Sequence, residues 1–386
     1  MKVLKLIIKN SGRHKLRSML TILGISIAVI SFCILRTVVT AWYVGLDAAA
    51  ANRLITRQAV SFIFPLPYSY KEKIKSIDGV ESVSFANWFQ GVYKDKDNFF
   101  ARLAIDAETV FDVYPEFKLT DAEKEAFLKD RSACIVGAAT AKQYGFKVGD
   151  VVPIEGDIYP GRWEFVIRGI YQPRDKSTDA SQMFIHWANL NERMTKEFPQ
   201  RANDVGWYIV KIKDPSRAAE ISQKIDNLFA NSSAETKTET ERAFTQGFIS
   251  ASSAIITAMN FLSFMIIGII MLVLGNTMIM SARERTREYA VLRTLGFTSY
   301  HIAGLIFGES MIISALGGLT GLVLSIPMIK GIEENMPKGF FPVFTLEPIT
   351  IVLALSSALM IGVFASIFPT SRAIRTKIVD GFRFVG

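Results

Sequence analysis

Residues 281–296, SARERTREYAVLRTLG, put four arginines (Arg283, Arg285, Arg287, Arg293) and two glutamates (Glu284, Glu288) just ahead of a short apolar edge, Val291, Leu292 and Leu295. The stretch holds no histidine and no cysteine, so its chemistry is recognition. Charged pairs around a small apolar knob suit docking into a partner's groove. On a helix, Arg283/Arg287 and Glu284/Glu288 stand at i,i+4 spacing and share faces. Gly296 is placed to end that helix. A basic loop that only orients a membrane protein has the same composition, so the residues alone leave both readings open. Other reactive groups are scattered. His14, His186 and His301 form no cluster with Cys33 and Cys134, so neither a metal site nor a disulfide is expected. Asp106, Glu108 and Asp112 read as a solvated face rather than a metal or acid/base site. No catalytic constellation emerges, no cofactor is expected, and the 386 residues hold no G-x-x-x-x-G-K-[ST] loop to cradle ATP. Any work done must draw on energy from elsewhere.

The elements that position this stretch are apolar. Half of the 386 residues are hydrophobic and the mean hydropathy is positive. Four runs, 18–40, 248–280, 302–329 and 348–370, are long enough to cross a bilayer, which takes about 20 residues. The net charge of +8 is not spread evenly: segments 1–17, 281–298 and 371–386 carry +6, +2 and +3, which leaves −3 for all the rest. Basic residues concentrated in short segments at alternate membrane faces follow the positive-inside pattern. Both termini and the central loop are then cytoplasmic and residues 41–247 lie outside, in the inner membrane of a cell. A nucleic-acid partner is excluded by that distribution. The first 17 residues alternate apolar and basic side chains as an amphipathic surface helix does. The run after them is too long for a signal peptide's core.

Two ionisable residues fall inside apolar runs. Arg36 lies roughly 27 Å along the first helix from Ser18, near the outer interface, where it can snorkel to water. Glu309 lies about 15 Å in from the other side, so a pairing of the two is poorly matched in depth. A structural hydrogen bond to a neighbouring helix and a proton-relay role both remain open for Glu309. The second run makes a helix of about 50 Å against a hydrocarbon core of about 30 Å. Its excess is expected to stand outside as a stalk, with tilt or kinking as the alternative. The third run is rich in Gly, Ser and Ala, which lets helices pack closely. Pro327 and Gly331 are expected to mark its outer end and Pro369 to close the fourth.

Residues 41–247 read as α+β. Strands are expected at 58–64, 80–89, 207–213 and 235–241, with helices at 68–77 and 215–229, forming an early and a late βαβ unit. Short strands at 134–137, 147–153, 163–171 and 183–187 lie between, so one subdomain is interrupted by another. The fold class is a four-helix transmembrane protein with a large extracytoplasmic α+β domain inserted between helices 1 and 2.

Residues 13–24 (RHKLRSMLTILG), the loop 284–296 (ERTREYAVLRTLG), Glu309 with Gly317, Gly318 and Gly321, and the ending 369–383 (PTSRAIRTKIVDGFR) together resemble the MacB/FtsX/LolC-type ABC transporter permeases, the mechanotransmission group. The resemblance implies these segments: a surface helix at 1–17, transmembrane helices at 18–40, 248–280, 299–329 and 348–370, and a periplasmic domain at 41–247. That domain has porter-like parts near 55–105 and 203–241 and an insert near 106–202. A coupling helix at 281–298, an external loop at 330–347 and a tail at 371–386 complete it. It implies a homodimer or pseudo-dimer bound to a cytoplasmic ABC ATPase dimer that holds the ATP. A periplasmic adaptor, an outer-membrane channel and membrane lipid are further partners of such systems. The coupling residues it implies are Arg283, Glu284, Arg285, Arg287, Glu288, Val291, Leu292, Leu295 and Gly296. Export or extraction of a hydrophobic or amphipathic substrate is one expected role. FtsX-like control of an extracytoplasmic cell-wall enzyme is the other.

Overall fold

The computed structural model describes residues 15–175, 177–336 and 343–375, and the chain divides into two compact units. Of the expected surface helix at 1–17 only 15–17 are described, as the start of the first helix; residues 337–342 of the expected external loop and the tail beyond Arg375 lie outside the described residues. Helix α1 (Lys15–Ala48) opens the chain. The large unit follows, with β1 (Arg53–Gln58), β2 (Leu66–Pro67), α2 (Tyr70–Lys75), β3 (Val80–Trp88), β4 (Arg102–Ile105), α3 (Val110–Val113), β5 (Phe117–Lys118) and α4 (Asp121–Lys129). It continues through β6 (Ala133–Gly137), α5 (Ala138–Tyr144), β7 (Val151–Gly156), β8 (Gly161–Pro173), β9 (Met183–His186) and α6 (Trp187–Glu197). It closes with β10 (Asp204–Val205), β11 (Trp207–Ile212), α7 (Ala218–Phe229), β12 (Thr236–Thr240) and α8 (Glu241–Ala251).

The early and late βαβ units interleave. Their strands lie in the order β12-β1-β11-β3, each pair antiparallel, so β1 and β3 run parallel on either side of β11. This is the ferredoxin-like β-α-β-β-α-β arrangement. Strand alternation sends Leu54, Tyr208 and Val210 to one face, where α2 and α7 cover them with Ile74, Ile221, Ile225 and Phe229. Ile55 and Ile209 go to the other face, in a second core with Phe127, Tyr171 and Phe184. Asp226 of α7 bonds the backbone N–H and hydroxyl of Thr238, at 3.0 and 2.8 Å, and so ties the helix to the edge strand.

Four expectations for this unit change. The insert is not a separate layer: β4 pairs with β3, and β9, β6 and β8 extend the same ten-stranded sheet. The first strand is Arg53–Gln58 rather than 58–64, because the Gln58 amide oxygen accepts from Val60 and Ser61 N–H and turns the chain. The acidic group is not a solvated face throughout. Asp106 is buried, takes Lys71 Nζ at 2.5 Å and receives the Thr109 hydroxyl. Finally, the apolar run that begins near 248 is covered by two helices rather than one. α8 ends at Ala251, Ser252 forms a one-residue turn (φ −94°, ψ 6°), and a new helix starts at Ser253.

The helical unit is built from α1 with α9 (Ser253–Glu284), α10 (Thr286–Thr294), α11 (Ser299–Asn335) and α12 (Pro348–Arg375). All but α10 are long and apolar enough to cross a membrane. Neither proline stops its helix: Pro327 lies inside α11 and Pro369 inside α12. Membrane helices tolerate proline because neighbours re-satisfy the freed backbone groups. The small residues of α11 are where backbones approach. A Cβ on Gly317 would sit 2.7 Å from Ile25 Cβ, one on Gly321 2.7 Å from Ser26 O, and one on Gly318 2.6 Å from Ala358 Cβ. Ser310 donates its hydroxyl to Gly362 O at 2.7 Å. Arg36 is not paired with Glu309; its Nη1 lies 3.3 Å from Asn260 Oδ1 on α9.

Gly321→Ala forces α1 away from α11 and is expected to cost about 1–3 kcal/mol, as overpacking does. Gly304 and Gly331 have open space where a Cβ would stand, so Ala there is neutral or gains up to about 1 kcal/mol. Thermal unfolding of the three variants in one detergent separates these outcomes.

Candidate functional site

The site is the end of the helical bundle where α1 begins, α9 ends, α11 begins and α12 ends. Helix α9 runs four residues beyond the expected boundary at 280 and stops at Glu284. Arg285 then leaves helical dihedrals (φ −96°, ψ 11°) before α10 resumes at Thr286. That one-residue break places Arg283 and Glu284 on α9 and Arg287 and Glu288 on α10. It also aims Arg285 inward. Its Nη1 lies 2.7 Å from Glu309 Oε2, with the two side chains only 5% and 9% exposed. Glu309 is thus held by a structural ion pair from the loop, and Arg285 is withdrawn from the surface expected to dock.

Further ties fix α10. Arg17 at the start of α1 grips Glu284 with two bonds, 2.6 and 2.8 Å. Arg293 Nη2 reaches Ser299 Oγ at 2.9 Å and Ile374 O at 2.7 Å, joining the loop to α11 and α12. Tyr289 packs with Ile302, Ile306 and Ala373, and Leu292 lies against them. Burial pushes the Tyr289 hydroxyl up to about 12, so it stays protonated at any ordinary pH. Gly296, in the left-handed region at φ +91°, caps the helix: its N–H bonds Arg293 O, and Phe297 N–H bonds Leu292 O. This is the paired-bond C-terminal motif that glycine permits.

The nine expected coupling residues therefore sort into two groups. Arg285 and Leu292 face inward. Arg283, Glu284, Arg287, Glu288, Val291, Leu295 and Gly296 are exposed, Leu295 at 71%. A small cleft of about 50 Å³ beside them is lined by Arg283, Thr286, Ala290, Pro369 and Arg372 among others. Arg17 and Tyr289 were not among the expected residues. An arginine at the mouth of one apolar helix and a glutamate at the end of another were the signal for the first.

A charged helix clamped among four apolar helices, with a large α/β domain between the first two, defines a permease-type membrane subunit. Residues 18–228 match the family model of the MacB-like periplasmic core domain, and residues 260–378 match that of the FtsX-like permease C-terminal domain. The chain belongs to this family of MacB/FtsX-type ABC transporter permeases. It is 23% identical to an ABC transporter permease of Methanocaldococcus jannaschii, over 97% of this chain and 96% of that one. It is 24% identical to the macrolide export ATP-binding/permease protein MacB of Nitrobacter winogradskyi, over 95% of this chain but 58% of that protein. An ABC transporter permease protein of Mycobacterium tuberculosis, 24% identical over 66% of this chain, is matched over 30% of its own length. The solved periplasmic region of MacB from Actinobacillus actinomycetemcomitans aligns with 53% of this chain and 95% of that one, at 13% identity and a TM-score of 0.39.

Removing one partner of a buried ion pair strands the other, at about 3–5 kcal/mol. Arg285→Ala and Glu309→Ala are each expected to destabilise by that order. The apolar double replacement Arg285→Met/Glu309→Leu is expected to recover most of the loss. A double-mutant cycle on unfolding equilibria checks this; additive single losses would show that the pair does not act as a unit.

Proposed function

We propose that the protein is the permease subunit of an ABC transporter in which a separate ATPase docks on α10 and its hydrolysis cycle moves the large domain on the far side of the membrane. The work done is export or extraction of a hydrophobic or amphipathic substrate. The observation that carries this reading is the outward patch of Arg287, Glu288, Val291 and Leu295 on a helix tied by Glu284, Arg285 and Arg293 to its neighbours. A rigidly held, mixed charged and apolar knob is what a groove on a soluble partner can grip.

The charge pattern supports placing that patch, and both chain termini, on the cytoplasmic face of an inner membrane. ATP is assigned to the partner. The Nitrobacter relative is a combined ATP-binding/permease protein, whereas we assign only the permease function to these 386 residues. A second permease chain completes the unit as a dimer, and a periplasmic adaptor with an outer-membrane channel would serve an exporter. The match to a MacB-like core across residues 18–228 favours the transport role over control of a cell-wall enzyme.

The double variant Arg287→Ala/Glu288→Ala, and separately Leu295→Glu, are expected to cut co-purification with the cognate ATPase at least tenfold, a loss of about 1.4 kcal/mol or more. Membrane insertion and thermal midpoint should not change. Undiminished co-purification and activity would sink the docking assignment. The sidedness has its own check. In intact cells an impermeant maleimide is expected to label Val60→Cys, a position 79% exposed in the large domain, and to reach Leu295→Cys only after permeabilisation. Equal labelling of both would reverse the reading.

A further inference from the structure

The large unit contains a cavity of about 350 Å³ that no part of the docking argument uses. It lies on the sheet face opposite α2 and α7, over Ile55, Leu103, Phe184 and Ile209. Phe244 of α8 and Phe62 close it from the side, with the Phe62 ring 4.8 Å from Trp207 and 5.3 Å from Phe244. Its volume falls in the range of small-molecule pockets, roughly 300–1,000 Å³, and its walls are predominantly apolar and aromatic, as such pockets are.

One end is polar and acidic. Arg53 is 4% exposed and gives Nε to Glu241 Oε2 at 2.8 Å and Nη1 to Glu116 Oε1 at 2.6 Å. Its guanidinium also stands over the Tyr114 ring at 4.4 Å. Glu241 is fully engaged, since it also takes Ala50 N–H at 2.9 Å and the Tyr114 hydroxyl at 3.3 Å. Asp179, a third lining carboxylate, is held by Ser181 and Gln182. Glu116 differs. It is 8% exposed and lines the cavity, and among the described residues only Oε1 has a side-chain partner. The described lining side chains thus set one arginine against three carboxylates.

That balance selects the ligand. The arginine is already bracketed by Glu116 and Glu241, so a carboxylate or phosphate entering here would meet like charges, with no further cation among the described lining residues. An ammonium would meet the unused oxygen of Glu116, a charge-assisted bond in a place shielded from water, with aromatic rings beside it. We propose that this cavity is a binding site for a small amphipathic amine, its apolar body against the sheet and its ammonium at Glu116. The inference rests on the large unit alone and stands or falls without reference to the ATPase.

The test is equilibrium dialysis of the full-length protein in lipid nanodiscs, with no ATPase present. The probes are 2-(1-naphthyl)ethylamine and, as its anionic counterpart, 1-naphthylacetate, each corrected for binding to empty nanodiscs. The amine is expected to bind saturably at one site per chain and at least tenfold more tightly than the acid. Leu103→Trp, which grows into the empty space, is expected to abolish binding with the thermal midpoint retained. Glu116→Gln is expected to weaken the amine about tenfold and leave the acid unweakened, the scale of one hydrogen bond to a charged group. Equal binding of amine and acid, no saturable binding above empty nanodiscs, or undiminished affinity in a folded Leu103→Trp protein would each overturn the proposal. Should Glu116→Gln fail to fold, the amine-to-acid ratio in the unaltered protein and the Leu103→Trp variant decide it.

Discussion

Two opposite charges, Arg285 and Glu309, meet at 2.7 Å where almost no solvent reaches them. Neither is tolerable there alone, because an uncompensated ion in a low-dielectric interior costs several kcal/mol even after relaxation. Each therefore dictates the other's position. Glu309 sits three turns inside α11, and an arginine side chain must come to it. The arginine available lies at the single residue between α9 and α10 where the backbone leaves helical dihedrals. The inward turn of Arg285 sets the rotation of α10. With that rotation, Tyr289 and Leu292 fall against Ile302 and Ile306, while Arg287, Glu288, Val291 and Leu295 are left facing out.

Much of this was legible in residue types. The four long helices follow from runs of apolar side chains, and the strands β3, β6 and β11 follow from short apolar segments bounded by turn residues. Gly296 as a helix stop follows from the chemistry of the left-handed cap. Partner choice was not legible. Arg285 is one of four arginines in a short loop, and nothing local sets it apart. Counting depth along helices correctly separates Arg36 from Glu309. It also hides Arg285, since a residue assigned to a loop is assumed to be outside the bilayer. An arginine on a long, flexible stem reaches back past its own Cα, and one-dimensional counting does not include that reach. The prolines misled for a related reason. Pro327 and Pro369 read as stops by rules drawn from helices in water, whereas packed neighbours let both helices continue.

In the large unit the two βαβ units could be read one at a time, but not their interleaving. Placing β11 between β1 and β3 depends on pairings between residues more than 100 positions apart, such as Leu54 with Val210. Pairing at a distance also converts the apparent insert into a continuation of the sheet, through Leu103 beside Phe184. The buried Lys71–Asp106 and Arg53–Glu116 pairs are of the same kind. Each acid looks like ordinary surface polarity in the sequence because its partner is 35 or 63 residues away.

The ties around α10 differ in strength. The Arg17–Glu284 contact is partly solvated, with side chains 31% and 43% exposed, and such pairs are worth about 1 kcal/mol or less. The Arg285–Glu309 pair, if broken, leaves two stranded charges at about 3–5 kcal/mol. Arg293 adds a bond to Ile374 O that joins the loop to the last helix. The charged contact to α1 is thus the weaker tie, and the contacts to α11 and α12 are the stronger ones. Helix α1 is also held to α11 away from that contact: Ser26 Oγ lies 3.1 Å from Gly317 O and 2.5 Å from Thr320 Oγ1. Gly317 and Gly321 leave no room for a side chain between α1 and α11. The loop helix is therefore tied to its neighbours by the buried Arg285–Glu309 pair, by the Arg293 bonds to α11 and α12, and by the packing of Tyr289 against Ile302 and Ile306.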